Sequence, residues 1–307
     1  MVDRRGFGRA LVAVASGGLM MSMVAVSARA ELVAENPTYP KRIAGWSMDE
    51  TSGRFARAMA NTETANPAAN IKLYRGVVLG EPGNLGPSTD YDRALRFNGD
   101  GQYGVVKPVE GADGRLVPIV DTSKAFMFST WVKLASTSGE QVAVSQRAAD
   151  GTVFEMGWFG DGWKLRHRKA DGTVLASVSR DMAQAPNGTP WTEHWVSLMG
   201  GYDPVANEIW LRSQAEGSYQ QCVPNQPWNC QTKWIMPSEI KAVPVSWTAA
   251  PGVGALLFGG TFTSSGRGSY WNGWIDDSQL WPITRQDESL LYVICHESVP
   301  KAPGSDE

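Results

Sequence analysis

The chain has 307 residues, 33 of them glycine and 13 tryptophan, with 19% charged residues and a formal net charge of −3. No basic patch stands out, which argues against nucleic acid as a partner. The apolar fraction of 42% is enough for one sizeable core, and the length suits one large all-β domain or two small ones.

Residues 1–30 read as a signal peptide and not as part of the fold. Arg4, Arg5 and Arg9 make a basic start, Ala10 to Val26 is apolar, and Ala28-Arg29-Ala30 is a small-x-small cleavage signal. The apolar run is 17 residues, short for a bilayer span, so no stable membrane insertion is expected after cleavage at Ala30. Arg4-Arg5-Gly6-Phe7 resembles the twin-arginine export pattern, with Asp3 and Gly8 departing from it. Both that route and the general secretory route stay open, and either one places the protein outside the cytoplasm, extracellular or periplasmic. Without the leader the net charge falls to about −6.

Residues 31–42 lead into the first strand, Ile43 to Met48, which runs into Asp49-Glu50-Thr51-Ser52-Gly53. Leu73 to Leu79 reads as another strand. Ala94 to Phe97 and Tyr103 to Val106 flank Asn98-Gly99-Asp100-Gly101, a hairpin signature. Phe126 to Leu134 is apolar on both faces, as expected of a strand inside a sandwich. Strands follow at 141–146, 151–159, 163–169 and 174–178, with turns at Asp161-Gly162 and Asp171-Gly172. Closely spaced strands joined this way imply an antiparallel all-β sheet. Further strands are expected within 189–198, 208–212, 255–260 and 271–281. Thr284 with Asp287 is a capping box that would open a short C-terminal helix over 285–294. Residues 298–307 form a polar, proline-bearing tail, expected to be disordered.

The order of these segments resembles a known family. "ALRFNGDGQYGVV" followed by "FMFSTWVKL", the opening Trp46 with Asp49-Glu50-x-Ser52-Gly53, and the closing "WNGWIDDSQLW" are similar to laminin-G-like jelly rolls of the concanavalin A-like lectin/glucanase superfamily. Trp191, His194 and Tyr202-Asp203 fit the same pattern. The resemblance implies an antiparallel two-sheet jelly-roll sandwich over 43–297, with 220–251 as an insertion. It also implies calcium held between an early Asp and the Asp of the last strand. Asp276 is the last-strand candidate. The early position has no Asp in the expected stretch, and Asn61 is the nearest substitute. The alternative is that Asp276 and Asp277 only bind backbone N–H groups. Because neighbours on a strand point to opposite faces, only one of them can reach a given site, and Asp276 is expected on the more solvated side.

Catalytic signatures are scarce. Gly99-x-Gly101-x-x-Gly104 matches a dinucleotide fingerprint only on paper, since a strand and not a helix follows it. His167, His194 and His296 read as structural or surface groups. A glycosidase needs two carboxyl groups across one cleft, and Glu155 stands alone on its strand with Gly157 and Phe159 where partners would be. The catalytic residue set is therefore empty. Aromatic faces stack on sugar rings, which makes Trp158, Trp163, Trp228, Trp234 and Trp271, all near turns or in the insertion, the candidate ligand-binding residues; packing of the insertion is the alternative. Cys222 and Cys230 bracket VPNQPWN and would close a small loop by a disulfide in an exported protein, the alternative being two unpaired thiols. Cys295 follows an apolar run and is expected to be buried.

The reading is a secreted non-catalytic binding domain whose partner is a glycan or a surface protein. The alternatives are a glycoside hydrolase or polysaccharide lyase on the same fold, and a structural or adhesion protein of the cell surface.

Overall fold

A computed structural model describes the backbone of residues 40–58, 69–84, 92–110, 114–223 and 226–286, and the side chains of these outside 216–238. The leader, Asn61, the helix expected over 285–294 beyond Gln286, Cys295 and the tail lie outside the described residues. Among the described residues no helix is long and apolar enough to cross a membrane.

The strands run in chain order as β1 Ala44–Trp46, β2 Phe55–Ala56, β3 Ile71–Tyr74, β4 Val78–Pro82, β5 Arg93–Asn98, β6 Tyr103–Val106, β7 Val109–Glu110, β8 Leu116–Val117, β9 Phe126–Leu134 and β10 Glu140–Ala148. They continue as β11 Val153–Phe159, β12 Gly162–Arg168, β13 Val174–Asp181, β14 Trp195–Asp203, β15 Glu208–Val223, β16 Gln226–Pro244, β17 Gly252–Phe258, β18 Thr261–Thr263, β19 Gly266–Gly268 and β20 Asn272–Trp281. A single 3-10 turn, Trp191–Glu193, precedes β14. Two antiparallel sheets of eight strands make a jelly-roll sandwich. The first has the order β16-β15-β14-β9-β20-β5-β4, with β1 paired to β20; the second has β13-β12-β11-β10-β17-β6-β3-β2.

β9 is flanked by β14 and β20, and its side chains are buried on both faces except Lys133, as its unbroken apolar run requires. The Asp-Gly turns join β11 to β12 and β12 to β13 as expected. The turn at Asn98–Gly101 does not make a hairpin. β5 belongs to the first sheet and β6 to the second, so this turn carries the chain across the sandwich. Gly99 and Gly101 take φ of 77° and 74°, and Gln102 accepts the Asn98 N–H through its side chain, standing in for a ladder bond. The strand expected over 73–79 is likewise split at Arg75-Gly76, both at positive φ, into β3 and β4 of opposite sheets.

The far part of the insertion is strand and not loop. β15 and β16 pair continuously, with bulges, from Glu208↔Pro244 to Val223↔Gln226. β16 tolerates its prolines because it is the edge of the first sheet.

Aromatic rings fill the core between the sheets. Trp46 meets Phe258 edge-on at 5.3 Å, and Trp158, Trp163 and Trp191 form a T-shaped series at 5.3 and 6.0 Å. Such pairs add about 0.5–1.5 kcal/mol each beyond their buried area.

Candidate functional site

Three groupings on this scaffold carry chemistry: a charge network and an aromatic strip on the outer face of the second sheet, and an acidic cluster around the last strand of the first.

The network is centred on Glu155 of β11, whose side chain is fully buried. Alternation along β11 turns Phe154, Met156 and Trp158 into the core and Glu155 outward. β18 and β19 form a hairpin that covers it there, tied down by Ser145 Oγ donating to the Gly260 carbonyl. Register places Arg166 opposite Glu155. Arg166 donates to Oε1 of Glu155 at 2.9 and 2.6 Å and to both oxygens of Glu140 at 2.8 and 2.9 Å. Arg168 pairs with Oε2 of Glu155 at 2.9 Å, and the Thr261 hydroxyl donates to the same oxygen. The Phe159 ring lies under the Arg166 guanidinium at 3.6 Å. The Arg166 hydrogen bonds hold the Glu140 carboxyl below its ordinary range. Both carboxylates are thus engaged by guanidinium donors and share Arg166.

The strip lies further along the same face. Lys72 and Tyr74 alternate outward on β3 while Ile71 and Leu73 join the core. Tyr74 sits opposite Tyr103, with rings stacked at 5.0 Å and 18°. Phe55 of β2 sits opposite Lys72, so it shares that face, and it is 45% exposed. Arg267 reaches over from β19, its guanidinium 4.3 Å from the Tyr103 ring centre and bonded to the Tyr103 hydroxyl. The Lys72 ammonium lies 5.3 Å from the Tyr74 ring centre.

The acidic cluster gathers Asp49, Asp92, Asp276 and Asp277. β20 bulges between Asp276 and Gln279, and Asp277 takes a φ of 37°. This break in alternation is why Asp276 and Asp277 are both buried, instead of one facing solvent as the strand pattern predicts. Asp276 accepts the N–H of Asn84 at 3.0 Å and of Asp277 at 2.7 Å. Asp49 accepts the N–H of Arg93. A Cβ at Gly83 would stand 2.6 Å from Oδ2 of Asp276 and closer still to Oδ2 of Asp92, so both oxygens converge on a spot kept open by the missing side chain. Oδ2 of Asp277 is buried without a hydrogen-bond partner among the described residues. Burial first, then the other carboxylates, pushes Asp276 and Asp277 well above the usual range and Asp49 up to about 6. Arg42 is the cation facing Asp277.

These donors are all oxygen and crowded, the donor type a hard cation such as calcium takes. Among the described residues no three side chains already close into a cage. A cation here would draw on Asp92 and Asp276 and complete its shell with carbonyl and water oxygens. Asp49 and Asp92 were not singled out by sequence. Their signals were the acidic turn after Trp46 and the Asp immediately before β5.

The tryptophan expectations need correction. Trp158, Trp163 and Trp271 are fully buried, Trp158 and Trp163 packed on each other and Trp271 donating to the Trp274 carbonyl. Their faces are covered by the core and cannot meet a ligand. The side chains of Trp228 and Trp234 lie outside the described residues. The backbone register sets Cys222 directly opposite Cys230 on β15 and β16. His194 caps the 3-10 turn and bonds Thr189. His167 is buried between Phe154 and Trp247, with ring centres at 4.3 and 4.0 Å; neither nitrogen has a hydrogen-bond partner among the described residues, and burial pushes its pKa down to about 4.

No protein-family model matches the chain. No curated protein matches it either. Among solved structures it is similar to HCR/D-Sa-GBL1/C, with a TM-score of 0.50, 11% identity, and 84% of this chain covering 52% of that one. It is also similar to the botulinum neurotoxin serotype D binding domain, at a TM-score of 0.49 and 10% identity over 82% of this chain and 51% of that one. The Ruminococcus gnavus IT-sialidase CBM40 bound to alpha2,3 sialyllactose gives 0.38 and 12% over 56% and 83%. The chain spans about half the length of the first two. At such identities the first likeness is one of fold alone.

Proposed function

We propose that this protein is a non-catalytic glycan-binding domain of laminin-G-like type that acts outside the cytoplasm. The observation that carries the reading is the strip of Phe55, Lys72, Tyr74, Tyr103 and Arg267, which sets aromatic rings and hydrogen-bond donors side by side on an open sheet face. Sugars are bound by that combination: an apolar face against C–H groups, and a few polar groups for the hydroxyls. The hydrolase alternative is disfavoured because Glu155 and Glu140 share the Arg166 guanidinium.

Two supports accompany it. Calcium at Asp92 and Asp276 would neutralise the cluster behind β5 and β20 and fix the sandwich edge. A Cys222–Cys230 disulfide would staple the far end of the β15–β16 hairpin, since directly opposed residues have Cα atoms close enough for the bond. Both fit an exported protein.

A glycan array read with wild type and Tyr103→Ala tests the function, alongside a reducing-sugar assay. Wild type should bind without releasing product, and Tyr103→Ala should weaken binding about tenfold. Turnover that disappears with Glu155→Gln would overturn the reading.

A further inference from the structure

We infer that the saccharide bound on the strip is polyanionic, with one carboxylate or sulfate meeting Lys72 on one side of the tyrosine stack and another meeting Arg267 on the other side; this rests on the glycan-binding reading. A solvent-facing cation commonly has a carboxylate neighbour that cancels it. Here the two cations are placed differently. Lys72 is set against the Tyr74 ring and Arg267 against the Tyr103 ring, and the two rings stack on each other. Neither cation is in an ion pair among the described residues. A ring quadrupole orients a cation without pairing it to an anion, so both are placed to meet an anionic group. The contrast with Arg166 and Arg168, 94 and more residues away in sequence from Lys72 but on the same sheet face, is direct: those two are neutralised by Glu155 and Glu140.

The stacking also decides what the ligand meets. With each tyrosine lying against the other and against a cation, the rings offer their rims and hydroxyls more than open faces. The open apolar face is that of Phe55, opposite Lys72. A polyanionic saccharide can rest one ring on Phe55 with a charged substituent toward Lys72, place another charged substituent toward Arg267, and share hydrogen bonds with the phenols. Arg presents a planar fork that matches carboxylate and sulfate oxygens alike. Because the chain as a whole is negative, general attraction of polyanions does not account for such binding, and a localised positive strip does.

Affinity electrophoresis of the full chain through gels containing polygalacturonate, dextran sulfate or neutral dextran and galactan tests this. Wild type, Lys72→Gln, Arg267→Gln and a remote control, Lys124→Gln, are compared after checking that their melting temperatures agree. The expected result is retardation by an anionic polymer, weakened about tenfold by either strip substitution, weakened by added salt, and unchanged in Lys124→Gln. Which anionic gel retards the protein separates carboxylate from sulfate. Retardation by neutral polymers alone, unchanged in Arg267→Gln, would overturn the anionic inference and leave glycan binding standing. Equal loss in Lys124→Gln would reduce the effect to non-specific charge and also overturn it. Absence of binding to any gel or array glycan would overturn both.

Discussion

The two buried charge groupings of this sandwich are built on opposite logic. Around Glu155, two carboxylates meet two guanidinium groups in hydrogen-bonded ion pairs, and the Thr261 hydroxyl donates to one of them. Around Asp276, the carboxylates of Asp49, Asp92 and Asp277 crowd one another, with Arg42 near Asp277. Burying charge is tolerable when it is paired and bonded, and costly otherwise. The first grouping is therefore balanced by its guanidinium partners, and the second holds its carboxylates mainly against one another. A carboxylate in a fold is informative through its company more than its burial.

Breaking the balanced grouping should have the largest effect. Glu155→Ala leaves Arg166 and Arg168 without their buried partner and should cost about 3–5 kcal/mol, read as a fall in the urea midpoint of unfolding. A small change would mean that the network is wetter than its burial indicates.

His167 offers a neutral reference between these extremes. Its folded pKa of about 4 lies below the ordinary 6.5, so the unfolded chain binds the proton more tightly. Stability is then fully present above pH 6.5 and is lost as pH falls toward 4, by on the order of 3 kcal/mol. His167→Phe should flatten that part of the pH–stability curve, and an unchanged slope would assign the loss to other groups.

The acidic grouping should respond to calcium. A hundredfold excess over Kd raises stability by about 2.7 kcal/mol, or roughly 2–4 °C in Tm per kcal/mol for a domain of this size. Differential scanning fluorimetry should show that rise in wild type and lose it in Asp276→Asn and Asp92→Asn. Identical melts in EDTA and millimolar calcium would remove the site.

The smallest effect sharpens the comparison most. In EDTA, Asp277→Asn removes one of several like charges and should raise stability by about 1 kcal/mol. The same kind of change at Glu140, half-exposed and paired with Arg166, should lower it by about 1 kcal/mol or less. If both shifts had the same sign, the contrast between the two groupings would fail.

Much of the fold was legible in the sequence. Phe126–Leu134 declared itself by apolar residues on both faces, and the Asp-Gly turns located β11, β12 and β13. Pairing across the sandwich was not legible at Asn98–Gln102, because a glycine turn allows a hairpin and a crossing equally. The site was less legible still. Phe55, Lys72, Tyr74, Tyr103 and Arg267 come from four strands and meet only through register. The tryptophans misled because nearness to a turn says little about which face a side chain takes, and Trp158 and Trp163 point inward. Asp276, expected on the more solvated side, is buried because a bulge cancels alternation.

The position of β20 has a consequence for how the molecule comes into being. It is the last strand described in the chain, yet it sits inside the first sheet between β9 and β5 and also receives β1, with Ala44 opposite Leu280. A polypeptide emerging from the N-terminal end has no template for β1 and no closure between β9 and β5 until Trp281 has been made. Pairings this distant in sequence bring slow, late condensation. The first sheet therefore closes only after Trp281 has been made, whereas the second sheet, which lacks β20, can pair its strands earlier.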